Sequence, residues 1–309
     1  MRVYPDPGLR PMDDCDLLVP PEAAPAALAL MERRGWRSFG NWANTGRSIA
    51  EMTELRRRLT HAQHFVASDA GSLGRATEVD LHWFALDDAG NNAEVNADLW
   101  SRATTVSLPD GTPVLIPGTT DLLGLTCLHG LRTNAVPPVR WAADATLLMR
   151  KSTVGAEGTL PIDWQRLERF AIQGAHTLRL TAALNFLAGT VGQPVPPDTL
   201  ARLRAAPVSP EERIEFRYWV NGEHHLKAGV GGRLAWEINR VRLYGMRSPG
   251  DAAGRSRLGK LRNAVVFLCG RWFYRYPRGL PLTTLRYRAL RLWRLLTDWK
   301  GRAGGQQSG

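Results

Sequence analysis

The chain has 309 residues, enough for one large domain or two ordinary ones with a buried core, and its 44% hydrophobic content excludes global disorder. Its three cysteines, Cys15, Cys127 and Cys269, lie far apart, which excludes a disulfide framework or a C-x-x-C metal pair and fits a reducing, cytoplasmic setting. The net charge of +11 is uneven: residues 255–302 hold thirteen Lys and Arg against one acid, Asp298, so the rest of the chain is close to neutral.

The start, Met1-Arg2-Val3-Tyr4-Pro5-Asp6, lacks the apolar core of a signal peptide. The best apolar run, residues 264–269, is far shorter than the roughly 18 residues a bilayer span needs, so no transmembrane segment is expected.

Near the start, Arg10-Pro11-Met12-Asp13-Asp14-Cys15-Asp16 runs into Leu17-Leu18-Val19, which reads as a buried strand. Alternation along a strand puts Asp14 and Asp16 on one face. Neighbouring carboxylates repel unless a cation neutralises them, and oxygen ligands of this kind suit Mg²⁺. The plainer reading is a turn, since aspartate beside proline is common in turns. On the residues alone both readings stand.

Pro20-Pro21-Glu22 opens a helix over 23–34, and Gly35 ends it. A short strand is expected over 36–39, a charged helix over 47–59 and a strand over 61–67. A turn-rich stretch, 68–72, leads to a strand over 77–84. Its alternation places Glu78, Asp80 and His82 on one face and Val79, Leu81 and Trp83 on the other. Residues 87–92 read as a loop and 96–117 as irregular, with strand-like pieces such as Val114-Leu115-Ile116.

From residue 120 the period turns helical. Helices are expected over 121–131 and 139–150, divided at Pro137-Pro138. Asp163 caps a third over 164–187, and a short one covers 198–204. A softer helix over 211–220, a glycine-rich stretch and a segment over 234–244 follow. Residues 249–260 read as a linker. Beyond it come a basic helix, a break at 277–281, a last helix over 284–299 and a polar tail.

Taken in order, these segments resemble the uncharacterised nucleotidyltransferase family of the DNA polymerase β-like superfamily. Residues 4–19 are similar to its Y-x-D-x-x-x-R-P-M-x-D-x-D-L-L-V segment. The likeness continues in Val79-Asp80-Leu81-His82-Trp83, Cys127-Leu128-His129-Gly130-Leu131, Arg140-Trp141-Ala142-Ala143-Asp144 and Asp163-Trp164, over roughly residues 1–205.

The resemblance implies an α+β protein with a small mixed sheet. It implies a Mg²⁺-dependent nucleotidyltransferase in which Asp14, Asp16 and Asp80 are catalytic metal ligands for two ions. The substrates would be an NTP and an unidentified acceptor hydroxyl or phosphate. Arg10 and His82 are the expected substrate-binding residues; Arg10 can pair with a carboxylate or a phosphate, and His82 can touch a phosphate or a metal.

One departure stands out: the family superfamily's Gly-Ser or Lys-Gly turn upstream of D-x-D is missing from the residues before Asp14. Either the native start lies further upstream and the sheet domain is N-terminally incomplete, or the element is lost and the enzyme is weak or inactive. The rival function is therefore an inactive relative serving as a binding or scaffold module.

The expected organisation is a nucleotidyltransferase-like sheet domain over 1–118, a helical domain over 119–248 and a linker with a basic amphipathic region over 249–309. That last region interleaves arginine with aromatics. It suits packing on the body, an anionic membrane surface or nucleic acid, and residues 255–302 carry the charge. Gly229-Val230-Gly231-Gly232-Arg233 lacks the lysine of a phosphate loop and reads as a turn. His224 and His225 are adjacent and splay apart. His129 sits at a helix end, where it suits the dipole, and Arg140 with Asp144 reads as an i,i+4 pair.

Overall fold

A four-stranded sheet carries the acidic segments, and a cluster of helices follows it in the chain. The structure, a computed structural model, describes Tyr4, Asp6 and residues 14–38, 61–70, 76–86, 93–131, 139–153, 161–210, 212–213 and 215–217. The expected helix over 47–59 and everything expected beyond residue 217 lie outside the described residues.

The sheet comprises β1 (Cys15–Leu18), β2 (Arg37–Ser38), β3 (Ala62–Ala70) and β4 (Ala76–His82), in the order β1-β4-β3-β2. β1 runs parallel to β4, and the other pairs are antiparallel, so the sheet is mixed as expected. Helix α1 (Ala24–Arg33) follows β1 with a proline in its first turn, where a missing N–H costs nothing. It stops at Gly35, whose φ of 80° suits only a residue without a side chain. Gly35 N donates to the Glu32 carbonyl and Trp36 N to that of Met31, both at 3.0 Å, which satisfies two of the helix's orphan acceptors.

Strand alternation then separates two faces. Phe65, Leu81 and Trp83 bury against Ala24 and Leu28 of α1 to form the sheet's own core. The opposite face of β4 presents Glu78, Asp80 and His82, as the alternation predicts. The Leu17-Leu18-Val19 segment is less buried than expected. Leu17 is 44% exposed, because β1 is the outer strand of the described sheet and has β4 on one side.

The helical part has a second core centred on α3 (Thr119–Gly130), which packs against α4 (Arg140–Thr153), α5 (Trp164–Gln173) and α6 (Thr177–Gly189). Helix α7 (Pro197–Ala205) lies against α5 and α6. Leu123, Cys127, Leu128, Leu148, Leu167, Leu180 and Leu184 are among the fully enclosed side chains there. Among the described residues no helix is long and apolar enough to cross a membrane.

Two expectations need correction. The stretch over 96–117 is not irregular. It contains helix α2 (Ala93–Ser101) and a hairpin of β5 (Thr104–Ser107) and β6 (Pro113–Ile116). The polar Asn91-Asn92 and Asn96 disguise α2 as loop. Yet Asn96 is buried and donates to the Trp83 carbonyl at 3.2 Å, while Val95 and Leu99 enter the helical core.

The single helix expected over 164–187 is instead α5 and α6. Asp163 does cap α5, accepting from Arg166 N at 2.9 Å. The break is a left-handed residue, Ala175 at φ 56°, with His176 N bonded to the Ala171 carbonyl at 2.8 Å. Gly174 stands one position before the left-handed residue, so the usual glycine signal for a stop is out of place.

Candidate functional site

The parallel pairing of β1 with β4 sets Asp16 directly beside Asp80, although 64 positions separate them. The antiparallel pairing of β3 with β4 sets His64 on the other side of Asp80. Residues paired this way point to the same face, so Asp16, Asp80 and His64 form a row across three strands. Asp14 lies just before β1 and two positions from Asp16, and His82 lies two positions beyond Asp80. The alternation that separates the sheet's faces therefore gathers the chemistry on the face opposite α1.

The distances are short. His64 Nδ1 lies 2.6 Å from Asp80 Oδ1, and its Nε2 lies 3.0 Å from Glu78 Oε2. His82 Nε2 lies 3.0 Å from Asp16 Oδ1, and the His82 ring meets that of His61 edge-on at 5.2 Å. Two sets of three, Asp14 with His64 and Asp80 and Asp16 with Asp80 and His82, each bring one ligand atom per residue within 4.8 Å of the others. Asp80 belongs to both.

Electrostatics mark the same place. Strands β1, β3 and β4 contain no lysine or arginine, while four carboxylates share their polar face. Burial holds the Asp14 carboxyl above the usual carboxylate range, and the neighbouring charges of Asp16 and Asp80 push it further the same way. Burial and the charges of Asp16 and Asp14 also raise the Cys15 thiol, which keeps it protonated rather than nucleophilic. A divalent cation relieves such repulsion directly, and a set of carboxylates and imidazoles is chemically suited to hold one.

Of the residues singled out in the sequence, Asp14, Asp16, Asp80 and His82 therefore come together, and Arg10 lies outside the described residues. His64 is a member that sequence reading missed. Its signal was its place in a strand before the acidic one, but only the strand register aligns it with Asp80. His129 is exposed in the last turn of α3, as its structural reading required. Asp144 on α4 accepts a hydrogen bond from the Tyr4 hydroxyl at 2.6 Å, which ties the start of the chain to the helical part. His224, His225, the glycine cluster over 229–233 and the basic region over 255–302 all lie outside the described residues.

A small mixed sheet displaying clustered aspartates and histidines, followed by helices, is the architecture of a nucleotidyltransferase-like α+β protein. Residues 1–205, two thirds of the chain, match the uncharacterised nucleotidyltransferase family. The chain belongs to that family, and the matched region includes every member of the site. No curated protein and no solved structure gives a significant match.

Proposed function

We propose that the protein is a divalent-cation-dependent nucleotidyltransferase that moves a nucleotide from an NTP onto an acceptor hydroxyl or phosphate. The observation that carries this reading is the cross-strand row in which Asp16 pairs with Asp80 while Asp14 and two histidines converge on them. Family membership supplies the reaction class, and the crowding of like charge explains why the face is built to receive a cation.

Asp14 and Asp16 would hold the triphosphate-side ion, and Asp80 would share in holding a second ion on the acceptor side. Bound there, Mg²⁺ supplies positive charge that stabilises the attacking and leaving oxygens of an in-line displacement. Asp80 orients the acceptor and receives its proton as the acceptor oxygen bonds to the α-phosphorus. The bond from that phosphorus to the β-phosphate oxygen breaks, and pyrophosphate leaves. His82, beside Asp16, faces the triphosphate side. Positioning and fixed charge do most of the work in transfers of this kind.

The test is incubation of the chain with Mg²⁺, each α-labelled NTP and pools of small-molecule, protein and nucleic-acid acceptors. Label should appear on an acceptor, and Asp14→Ala or Asp80→Ala should reduce transfer by at least about 100-fold, the scale of losing one preorganised electrostatic group. Folded protein that neither transfers label nor binds NTP with Mg²⁺ would transfer the assignment to a binding module acting through residues 255–302.

A further inference from the structure

We propose that His64 is a metal ligand held in place by Glu78, and that the site it shares with Asp14 and Asp80 prefers a first-row transition dication such as Mn²⁺ over Mg²⁺. The inference rests on the nucleotidyltransferase reading above and deepens it by naming the class of cation.

The sequence places the expected ligands on Asp14, Asp16 and Asp80 and singles out His82 as the histidine able to touch a metal, while His64 does not stand out. The structure adds an imidazole nitrogen on the neighbouring strand. His64 is opposite Asp80 in the β3–β4 register, and its Nδ1 touches Asp80 Oδ1 at 2.6 Å. One ligand atom each from Asp14, His64 and Asp80 lies within 4.8 Å of the others. The nitrogen is thus already beside the place that a cation shared with Asp80 and Asp14 would occupy. A cation entering there displaces the proton that bridges Nδ1 and Oδ1, and the proton goes to solvent.

Glu78 supplies the second half of the argument. Its Oε2 lies 3.0 Å from Nε2 of the same ring. Metal-bound histidines characteristically donate their other N–H to a carboxylate, which fixes the tautomer and the ring orientation. Glu78 and Asp80 are two positions apart on β4 and therefore point to one face, so one strand provides both the oxygen ligand and the carboxylate that steers the nitrogen ligand. His64 is about a quarter exposed, leaving a path for a cation to arrive from solvent.

The chemistry of the donor set then decides the cation. Mg²⁺ takes oxygen ligands and keeps several waters, whereas imidazole suits first-row transition ions, among which Mn²⁺ is the one that also suits an oxygen-rich set. A mixed carboxylate and imidazole set raises affinity for Mn²⁺ relative to Mg²⁺ without excluding Mg²⁺ from the carboxylates.

The experiment is a titration of the full chain with Mn²⁺ alone, followed by electron paramagnetic resonance with pulsed detection of imidazole ¹⁴N coupling, and the same titration with Mg²⁺ by calorimetry. ATP is omitted from the pulsed measurement so that adenine nitrogen does not contribute. Mn²⁺ is expected to bind at least about tenfold more tightly than Mg²⁺ and to show imidazole coupling. His64→Gln should bring the two affinities toward parity and remove the coupling due to that ring. Glu78→Gln should keep the coupling while weakening Mn²⁺ binding about 10-fold or more, the usual effect of an outer partner. Circular dichroism checks that both variants fold.

Mn²⁺ bound with coupling and a Mn²⁺/Mg²⁺ preference that are unchanged by His64→Gln would overturn the inference and leave the nucleotidyltransferase reading intact. Failure of either cation to bind, with or without ATP, would overturn both.

Discussion

The sheet face and the helical core treat charge in opposite ways. In the helical core several buried charges have a partner of opposite sign from the protein itself, while Glu212 is met by the Leu178 N–H. Arg166 is enclosed and joins Asp121 on α3, at 2.9 Å, to Asp98 on α2. Arg202 makes two bonds of 2.8 Å to the carboxylate of Glu168. Arg179 donates to the Leu128 carbonyl at the end of α3 and faces Glu215 at 3.8 Å. On the sheet face Asp14, Asp16, Glu78 and Asp80 gather on strands without a lysine or arginine, with histidines as their contacts.

Two carboxyl shifts run in opposite directions: hydrogen bonds from Arg202 hold Glu168 below the usual range, whereas burial and like charge hold Asp14 above it. Burial also pushes Asp121 up to about 6 and raises Glu212 in the helical part. The ion pairs of the helical part neutralise charge from within, whereas the sheet face crowds like charge, which the proposed cation would relieve.

The largest effect should come from breaking the first pattern. Arg166→Met leaves the buried Asp121 without its guanidinium and should destabilise the protein by about 3–5 kcal/mol in denaturant unfolding. A loss under 1 kcal/mol would mean that the ion pair is replaceable by packing. Completing the second pattern should act in the other direction. A divalent cation at about 100 times its Kd should raise stability at neutral pH by roughly 2.7 kcal/mol, and Asp16→Asn with Asp80→Asn should remove that gain.

A smaller effect separates local structure from charge pairing. Asp163→Ala removes the cap of α5 and should cost about 1 kcal/mol, with cation binding unchanged.

The smallest effects are the most diagnostic, because Glu168 and Asp14 should respond to pH with opposite signs. Glu168 has a lowered folded pKa, so its contribution is present above the ordinary carboxylate range and is lost as pH falls through the lowered value. Arg202→Ala should therefore flatten the acid limb of the stability profile. Asp14 has a raised folded pKa. Without a cation its contribution declines as pH rises from the ordinary carboxylate value through the raised one. Asp14→Asn should remove that decline and slightly raise the Tm of cation-free protein at neutral pH, while abolishing transfer. A lowered Tm in Asp14→Asn would indicate that the carboxylate stabilises the sheet rather than straining it.

Much of this architecture is legible in the sequence, and the gaps have physical causes. The faces of β4 follow from strict alternation at Val79, Leu81 and Trp83 against Glu78, Asp80 and His82. The α1 stop and the α5 cap follow from Gly35 and Asp163, whose chemistry is local. His64 was not legible. Between Ala70 paired with Ala76 and Val66 paired with Glu78 the β3–β4 register shifts, so counting back from the turn aligns Asp80 with the wrong residue. A shift of this parity preserves the face and changes the neighbour. Helix α2 was hidden because its Asn96 serves a tertiary contact, and the α5–α6 break because an alanine takes the left-handed position. The pairing of Asp16 with Asp80 is a long-range fact that spacing alone does not contain; the family resemblance grouped Asp14, Asp16 and Asp80 without their register.

The most direct test of the central claim, that cross-strand aspartates form a cation site for nucleotide chemistry, is calorimetry of ATP with Mg²⁺ or Mn²⁺ against the wild-type chain and Asp80→Asn. The account predicts that nucleotide and cation bind together in the wild type, that neither binds well without the other, and that Asp80→Asn abolishes the joint binding while remaining folded. Equal binding by Asp80→Asn, or no joint binding by folded wild type, would contradict it.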